Sequence, residues 1–519
     1  MIATLMAPEA HGSDASLQDL PPELLRLASQ LHRISQERAA GGTFVEREDR
    51  AWEVFVQMYE WTLGTSLREH PLAQPGLEYP CPRKCGGRMR IQREQQRRKI
   101  AGRLAPISYN RDYGRCDRCG ISGAPLDWEL GLADQAISIG LLKRVCHAGV
   151  ACRSFGDAHE ILEEHTMVKM SAKHIRELTE NEGRRIAQAR DEEARAYAED
   201  RLALAGPTDP PKLIVVVADG GRVQTREGFE ERGSQSRTVQ FEANDAAQQE
   251  NRPERWKEDK VGVVYDAVAK PDLGRTTSEK YDGAKALTKT YVATMHPWKL
   301  FGWMLRVEAL KRGYEKAETK LFLADGAPNI RELRNLQFPE TVFILDWAHA
   351  AEHVSTCAKA LFGEGTDKAR GWYHEQKSML WDGKRDELIA ELKKQSRRLG
   401  APGKNEPVGS PRTVLHRDAD SYFPNNRDAI DYPGFRAKGW PIGSGVVEGS
   451  VKQFGLRMKG SEKFWNLGIE LGADTLEEAG RRPEATGAEE MLALRALYHC
   501  RDGRWQRYWE ARGQPKRWE

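Results

Sequence analysis

The stretch ILDWAHAAEH, residues 344–353, places His349 and His353 one helical turn apart, with Glu352 immediately before the second histidine. Two imidazoles on one helix face can bind Zn2+ while the carboxylate activates a water molecule, as in H-x-x-E-H peptidases. Such a site needs a third ligand downstream. Glu387 or Glu391 could supply it, although no surrounding pattern selects either one. A zinc peptidase is therefore one functional hypothesis.

Three aspartates each follow a short apolar run that is typical of a buried strand. KLIVVVA precedes Asp219, TKLFLA precedes Asp325 and TVFIL precedes Asp346. Because functional groups of open α/β sheets collect at strand ends, we expect these carboxylates to cluster, although each could instead cap a turn or helix. Such a cluster can hold two Mg2+ or Mn2+ ions, one activating the attacking oxygen of a phosphodiester reaction and one stabilising the leaving oxygen.

Two cysteine pairs have the spacing of a structural zinc site. Three residues separate Cys81 from Cys85, and two separate Cys116 from Cys119. Each short turn can supply two thiolates to one tetrahedral Zn2+. Between the pairs, residues 83–103 read RKCGGRMRIQREQQRRKIAGR, a cationic block with one glutamate that could attract phosphate or could be an ordinary solvated face. The sequence predicts a zinc ribbon that binds nucleic acid.

The whole chain is nearly neutral, with 80 basic and 77 acidic residues and a net charge of +3. Its 519 residues exceed one hydrophobic core, so we expect three to four domains. Charged residues make up 30% of the chain. No apolar run approaches the roughly 20 residues that cross a bilayer, and the N-terminus lacks the pattern of a secretory signal. We expect a cytoplasmic protein without a membrane partner.

The elements that must position these groups lie in regions that differ in their sequence pattern. From residue 212 onward, apolar strands alternate with helical stretches, which predicts an α/β domain. Three prolines in residues 71–80 and the segment PTDPP mark boundaries before it. The predicted regions are a helical region at 1–75, a zinc ribbon at 76–130, a helical region with a linker helix at 131–206, an α/β core at 207–350, a helical insertion at 351–438, and a late helix with a helical tail at 439–519.

Residues 158–178 have the apolar spacing of two short helices joined by a turn, with Ser171 as a plausible N-cap for the second. A helix-turn-helix would present Lys173, His174 and Arg176 to the major groove. An ordinary two-helix packing unit fits nearly as well, so both interpretations stay open.

Several strings together resemble a known family. VVVADGG, LFLADGA, FPETVFILDWAHAAEH and GWPIGSGVVEGSVKQFGLRMKGSEKFWN are similar to catalytic segments of bacterial insertion-sequence DDE transposases, in the Kra-type group related to mutator-like elements. CPRKCGG, CDRCG and PLDWELGL extend the resemblance, so that it spans roughly residues 80–470. Their order and number carry the resemblance, since no single string is decisive.

The resemblance implies an RNase H-like catalytic fold, cleavage at the ends of a DNA element, and joining of the freed 3′ hydroxyl to target DNA. Carried onto this chain, the metal ligands are Asp219 at the end of the first strand, Asp325, and Glu448 on the late helix. Asp346 is a second choice for Asp325. The family also places an Asp or Cys followed three residues later by His just after the second catalytic aspartate, which Asp346 and His349 match. The H-x-x-E-H match would then be coincidental, and His353 an ordinary packed or surface residue.

Lys452, Arg457 and Lys459 follow Glu448 at roughly helical spacing and could hold the DNA backbone, although a solvated helix face is equally compatible. The leading hypothesis is thus a nucleoid-associated transposase that uses Mg2+ or Mn2+ for catalysis and Zn2+ for structure, and that assembles as a dimer or larger on two DNA ends. The other hypotheses are a catalytically inactive zinc-ribbon DNA-binding protein and the zinc peptidase. Terminal repeats, target preference and excision pathway are not encoded in any readable pattern.

Overall fold

A computed structural model gives the structure of the protein. It describes residues 20–37, 42–75, 79–132, 136–166, 168–226, 256–272, 281, 283–443, 445–460, 463–470, 475–479, 483 and 485–514, without the side chains of residues 447, 448 and 479. The chain divides into two compact units. The first comprises the described residues within Met1–Val145, His159–Ser171 and Tyr508–Glu519, and the second those within Cys146–Ala158 and Ala172–Arg507.

The first unit contains two N-terminal helices and a four-stranded antiparallel sheet. Its elements in chain order are α1 (Pro22–Gln36), α2 (Phe44–Arg68), β1 (Tyr79–Pro80), β2 (Arg88–Ala101), β3 (Pro106–Cys116), β4 (Ser122–Gly123) and α3 (Pro125–Glu129). The strands pair in the order β1-β2-β3-β4. Tyr109 on β3 is buried and donates to Asp127, whose carboxylate also pairs with Arg98 and Arg111. This buried carboxylate ties α3 to the sheet.

The two helices predicted as a helix-turn-helix are present, but they do not belong to one compact unit. After α4 (Ile139–Ala151) come α5 (Phe155–Thr166) and α6 (Ala172–Ala198). Residues 159–171 fall in the first unit, whereas α6 lies wholly in the second. At 27 residues, α6 is also much longer than the short recognition helix that we expect, because the stretch predicted as a separate linker helix continues it without a break.

The second unit is built on a five-stranded mixed sheet. Its remaining elements are β5 (Leu213–Gln224), β6 (Trp256–Val268), β7 (Lys285–Thr294), α7 (Trp298–Lys311), β8 (Thr319–Ala324), α8 (Pro328–Gln337), β9 (Val342–Leu345), α9 (Trp347–Phe362), α10 (Asp367–Trp381), α11 (Arg385–Leu399), α12 (Pro411–Arg417), α13 (Phe423–Asn425), α14 (Tyr432–Ala437), α15 (Gly445–Met458), α16 (Leu476–Ala479) and α17 (Ala488–His499). The last helix, α18 (Arg504–Arg512), belongs to the second unit up to Arg507 and to the first from Tyr508. A π-helical turn, Asp418–Tyr422, joins α12 to α13. The region from α9 to α14 is helical, as predicted.

The strands of the large sheet lie in the order β7-β6-β5-β8-β9. β5, β6 and β7 pair as an antiparallel meander, while β8 and β9 run parallel to β5. One face carries the main core, in which Ile214, Val216 and Phe322 pack with Phe301 and Leu305 of α7. Because side chains alternate along a strand, Val215, Val217 and Asp219 face the other way. α15 packs against β5 and β6, and α17 against β7.

One predicted boundary is wrong. We expect Asp219 to end its strand, but β5 continues to Gln224, with Asp219 opposite Val261 of β6. Only the parallel pairing with β8 stops early, at Val217 and Leu323. Gly220 and Gly221 after Asp219 belong to the strand. Gly221 allows the side chain of Asp259 on β6 to approach closely, since a Cβ there would lie 2.6 Å from Asp259 Oδ1. Within the described residues, no helix is long and apolar enough to cross a membrane.

The close approach of α7 to β6 at Gly262 gives a stability prediction. A Cβ at Gly262 would lie 2.6 Å from Leu305 Cδ1 and 3.0 Å from Phe301 Cζ, both in the main core. Gly262→Val should lower the free energy of unfolding by about 1–3 kcal/mol, because overpacking displaces these side chains. Denaturant titration measures the change. Gly371→Ala on α10 is the control, since nothing lies within 4 Å and helix propensity should raise stability by up to about 1 kcal/mol. An unchanged Gly262→Val would contradict this packing.

Candidate acidic site and cysteine centre

The strand register brings the three predicted aspartates to one level of the large sheet. Val217 pairs with Leu323, and Ala324 with Leu345, on adjacent parallel strands. Continuing these registers by one or two residues aligns Asp219, Asp325 and Asp346 at the ends of the parallel pairing. All three share the face opposite the main core, because each is an even number of residues from a neighbour on that face.

The three carboxylates differ in exposure and in local hydrogen bonds. Asp219 and Asp325 are half-buried, and each accepts a local backbone N–H, Gly220 N at 2.7 Å and Ala327 N at 2.9 Å respectively. Asp346 is fully buried and caps α9, with Oδ1 accepting from His349 N at 2.8 Å. One oxygen of each carboxylate therefore accepts a local backbone N–H, as the capping or turn alternative expects. Asp219 and Asp325 differ from Asp346 in being half-buried rather than fully buried.

Helix α15, of which Glu448 is the fourth residue, begins beside Asp346. Trp347 N donates to Ile442 O at 2.8 Å, and a Cβ at Gly443 would stand 4.0 Å from Asp346 Oδ2. From there α15 crosses β5 and β6 on the aspartate face. The backbone of position 448 thus lies in the helix that covers this face. The side chain of Glu448 lies outside the described residues.

A fourth carboxylate on this face was missed by the sequence analysis. Asp259 of β6 lies opposite Gly221, two residues from the partner of Asp219, so that it shares the Asp219 face. It is buried, and its Oδ1 has no hydrogen-bond partner among the described residues. Burial raises the pKa of Asp259, although the charge of Lys459 on the last turn beyond α15 opposes the shift. The sequence signal for Asp259 was the segment WKEDKVGVV, residues 256–264, in which charged residues precede a strand-like apolar run.

Two tyrosines from the helical insertion hold the ends of β8 and β9. Tyr422 donates its hydroxyl hydrogen to the carbonyl of Asp325 at 3.1 Å, and Tyr432 donates to the carbonyl of Leu345 at 3.0 Å. Burial raises the pKa of Tyr422, and the charges of Asp325 and Asp418 raise it further, so that its hydroxyl stays a donor. The insertion is therefore attached directly to the peptide groups beside both aspartates.

The two histidines of HAAEH do not converge on a common site. His349 is half-buried, and its Nδ1 lies 3.7 Å from the exposed Glu352. His353 instead stacks on Tyr422, with ring centroids 3.6 Å apart, and its Nδ1 lies 3.0 Å from Asp418 Oδ1. Burial favours a higher pKa for Asp418, but hydrogen bonds from His353 and Arg417 outweigh it and lower the pKa. His353 thus holds the ring of Tyr422 in place, and Tyr422 in turn donates to the carbonyl of Asp325.

The four cysteines do converge. Cys81 Sγ lies 3.5 Å from Cys119 Sγ, and Cys85 Sγ lies 3.5 Å from Cys116 Sγ, with all four atoms within 4.8 Å of one another. Backbone N–H groups of Cys119 and Arg118 point at Cys116 Sγ and lower the pKa of that thiol to about 6. Four thiolates at these separations suit one tetrahedral ion with ligands at about 2.3 Å. The donor set fits Zn2+.

The cationic block forms the exposed side of β2 and the turn before it. Among its basic residues the exposed ones are Arg83, Lys84, Arg88, Arg90, Arg93, Arg97, Lys99 and, just after the strand, Arg103. Arg98 instead lies inward and pairs with Asp127 at 2.5 Å. The sheet that holds the cysteines therefore also presents an extended cationic surface.

The other predicted DNA contacts divide by exposure. Lys173 and His174 are exposed on the first turn of α6, both near Glu177. Arg176 is half-buried, Lys452 and Lys459 are exposed, but Arg457 is only 3% exposed. Arg457 does not lie on a solvated helix face, because it is buried and its Nε donates to Gly149 O inside the unit.

A second buried group of potential metal ligands contains Asp191, His296 and Glu489. Arg190 pairs with both Asp191 and Glu489, and Glu489 also accepts from Thr294 Oγ1 and Met295 N. The guanidinium already supplies the positive charge that a metal ion would bring. We interpret this group as an internal ion network. Within the described residues, the aspartates Asp219, Asp325 and Asp346 do not by themselves form such a three-ligand group.

Comparison with known proteins gives no relative: no protein-family model matches the chain, and no curated protein matches it.

The cysteine centre predicts a stoichiometric loss of metal. Cys119→Ser should remove one zinc per chain and lower the melting temperature of the first unit, because binding a structural zinc contributes on the order of 10 kcal/mol to folding in zinc-finger peptides. Elemental analysis and calorimetry measure both effects. Cys152→Ser, outside the cluster, should keep its zinc. Equal zinc content in the two variants would refute the assignment.

Proposed function

We propose that this chain is a DNA transposase that cleaves the ends of a DNA element and joins them to target DNA by metal-dependent DDE chemistry. The observation that carries the proposal is the register of β5 and β8, which aligns Asp219 with Asp325 on one sheet face. The helix bearing Glu448 covers that same face. This geometry and the sequence resemblance together support the proposal.

The sheet supports the RNase H-like part of the proposal. Three antiparallel strands continue into two parallel ones, with the first strand central and flanked by β6 and β8. This order places two carboxylates from distant parts of the chain side by side, as a site built on strand ends requires. The helical insertion between β9 and α15 fits the family expectation as well.

The accessible aspartates supply hard oxygen ligands that suit Mg2+ or Mn2+. When bound, these ions activate the attacking oxygen and stabilise the leaving oxygen. In cleavage, a water oxygen attacks phosphorus and the bond from phosphorus to O3′ breaks, leaving a 3′ hydroxyl. In joining, that 3′ hydroxyl attacks the phosphorus of a phosphodiester in the target DNA. The bond from this phosphorus to the target O3′ breaks and leaves a 3′ hydroxyl on the target strand. Asp219 and Asp325 bind the ions on their side, with Glu448 assigned as the third ligand.

The structure favours Asp325 over Asp346 as the second ligand in this proposal. Asp346 is fully buried and one of its oxygens caps α9, whereas Asp325 is half-buried at the end of its strand. Asp346 then fixes the start of α9 next to Ile442 and so the approach of α15. The exposed cations of β2 would position the DNA backbone without reading sequence. Two element ends require at least a dimer.

Two alternatives make different use of the same residues. A DNA-binding protein without catalysis would keep the cysteine centre and the cationic strand but would not cut DNA. A zinc peptidase would need His349 and His353 to share one ion, whereas His353 bonds Asp418 and stacks on Tyr422. The cleavage assay below distinguishes the DNA-binding protein from a transposase. The positions of His349 and His353 do not support the zinc peptidase.

The assay is Mg2+- or Mn2+-dependent nicking of a DNA that carries the native flanks of this gene. Asp219→Asn, Asp325→Asn and Glu448→Gln should each reduce the cleavage rate by at least about 100-fold, because metal-ion stabilisation is worth several kcal/mol. Their DNA affinity should stay near that of the wild type. Lys394→Gln, an exposed residue of α11, is the unaffected control. Wild-type binding without cutting would leave the inactive DNA-binding protein as the better account.

The insertion contacts give a graded prediction. Tyr422→Phe keeps the ring stack but loses the hydrogen bond to Asp325 O, worth about 1 kcal/mol, so that cleavage should fall by about fivefold. His353→Ala should lower the cleavage rate by no more than about tenfold, because it removes the ring that stacks on Tyr422. Its zinc content should stay unchanged. Initial rates and elemental analysis measure these effects. Loss of a tightly bound zinc in His353→Ala would instead point to the peptidase.

A further inference from the structure

A cavity of about 280 Å3 in the second unit is lined by four arginines and by no acidic residue. Arg457 of α15 and Arg495 of α17 are each 3% exposed, whereas Arg153 and Arg501 are exposed at its rim. Tyr498 and His499 of α17 complete much of the wall. Among the described residues, none of the four arginines forms an ion pair.

The two buried guanidinium groups are held by carbonyl oxygens, which orient them but do not neutralise them. Arg457 Nε donates to Gly149 O at 2.9 Å and Nη1 to Arg153 O at 3.4 Å. Arg495 donates to Val150 O and, at 2.5 Å, to Gln453 O. Arg457 Nη2 and Arg495 Nε have no hydrogen-bond partner within the described part of the chain. Two positive charges therefore lie buried with unused donors.

These charges also destabilise one another. Burial together with the charge of Arg457 lowers the pKa of Arg495 to about 10. Burial lowers the pKa of Arg457 to about 10, although the charges of Glu180 and Asp157, which make no ion pair with it, oppose the shift. Burial lowers the pKa of His499 to about 3, with Arg495 and Arg501 adding to the shift, so that His499 is neutral. Buried charges are normally paired, whereas Arg457 and Arg495 make no ion pair and instead face the rings of Phe155 at 4.1 Å and Phe454 at 5.7 Å.

We propose that this arginine-lined cavity binds a phosphate group, and that in the working protein this phosphate belongs to a DNA strand. Planar guanidinium groups suit phosphate oxygens through paired N–H donors. The volume falls below the roughly 300–1,000 Å3 typical of small-molecule sites, which suits a phosphate and its sugar better than a whole cofactor. The DNA source rests on the proposed function, whereas the phosphate site does not.

The cavity lies further along the helix that carries position 448. Arg457 follows Glu448 by nine residues on α15. At about 1.5 Å per residue these positions are roughly 13–14 Å apart along the helix, and nine residues are about two and a half turns, so that the two positions lie on opposite faces of it. A strand that reaches both positions would therefore have to pass around α15.

The test measures binding in the full, zinc-loaded chain without Mg2+ or Mn2+, so that cleavage does not contribute. Inorganic phosphate should raise the melting temperature of the wild type and should have no such effect on Arg457→Met. The rim double variant, Arg153→Gln with Arg501→Gln, should bind the flanking DNA about tenfold more weakly at 0.1 M salt. Its slope of log K against log salt should fall by about 1–2, since each lost phosphate contact removes about 0.7–0.9.

Arg397→Gln with Arg398→Gln, two exposed residues of α11, is the matched control and should behave as the wild type. Should Arg457→Met fail to fold, the exposed rim variant decides by its response to both probes. Equal responses of the rim variant and the control to both probes would overturn the proposal. A phosphate effect without any change in DNA binding would overturn the DNA source alone. Phosphate binding by a wild type that never nicks DNA would count against the proposed function and not against the cavity.

Discussion

The parallel pairing of β8 with β5 is the constraint on which the candidate site depends. These strands are separated by about a hundred residues of sequence, and their backbone hydrogen bonds alone set Asp325 level with Asp219. A slip of one residue would turn one aspartate toward the main core, because side chains alternate across the sheet. The buried runs IVVVA and LFLA resist such a slip, since it would expose apolar residues and bury a carboxylate.

The sequence was sufficient to predict what depends on local pattern. Apolar runs marked β5, β8 and β9, and helical spacing marked the insertion, because both periods follow directly from strand and helix geometry. The cysteine spacing likewise predicted that Cys81 and Cys119 would meet, since two tight turns on neighbouring hairpins leave few other arrangements. The face of each element that packs against the core could be inferred only where apolar and polar residues alternate without interruption.

The sequence failed where long-range packing decides. Nothing near Arg457 signals that α15 turns this cation inward toward Gly149 O, since an arginine at helical spacing fits an exposed face equally well. Asp259 was overlooked because its role depends on pairing with Gly221 across a strand. His353 and His349 fit a metal motif by spacing alone, but Tyr422, about seventy residues later in the sequence, stacks on the ring of His353. Each partner is distant in sequence, so no local pattern could announce it.

The tyrosine contacts have an evolutionary consequence for the insertion. Tyr422 and Tyr432 donate to the carbonyls of Asp325 and Leu345, so that the insertion supplies hydrogen-bond donors to the sheet rather than merely interrupting the chain. A shorter version of this protein could not simply delete α10 to α14 and rejoin the ends. It would have to evolve new donors for both strand ends, and for this reason the insertion and the sheet are expected to be inherited together as one piece.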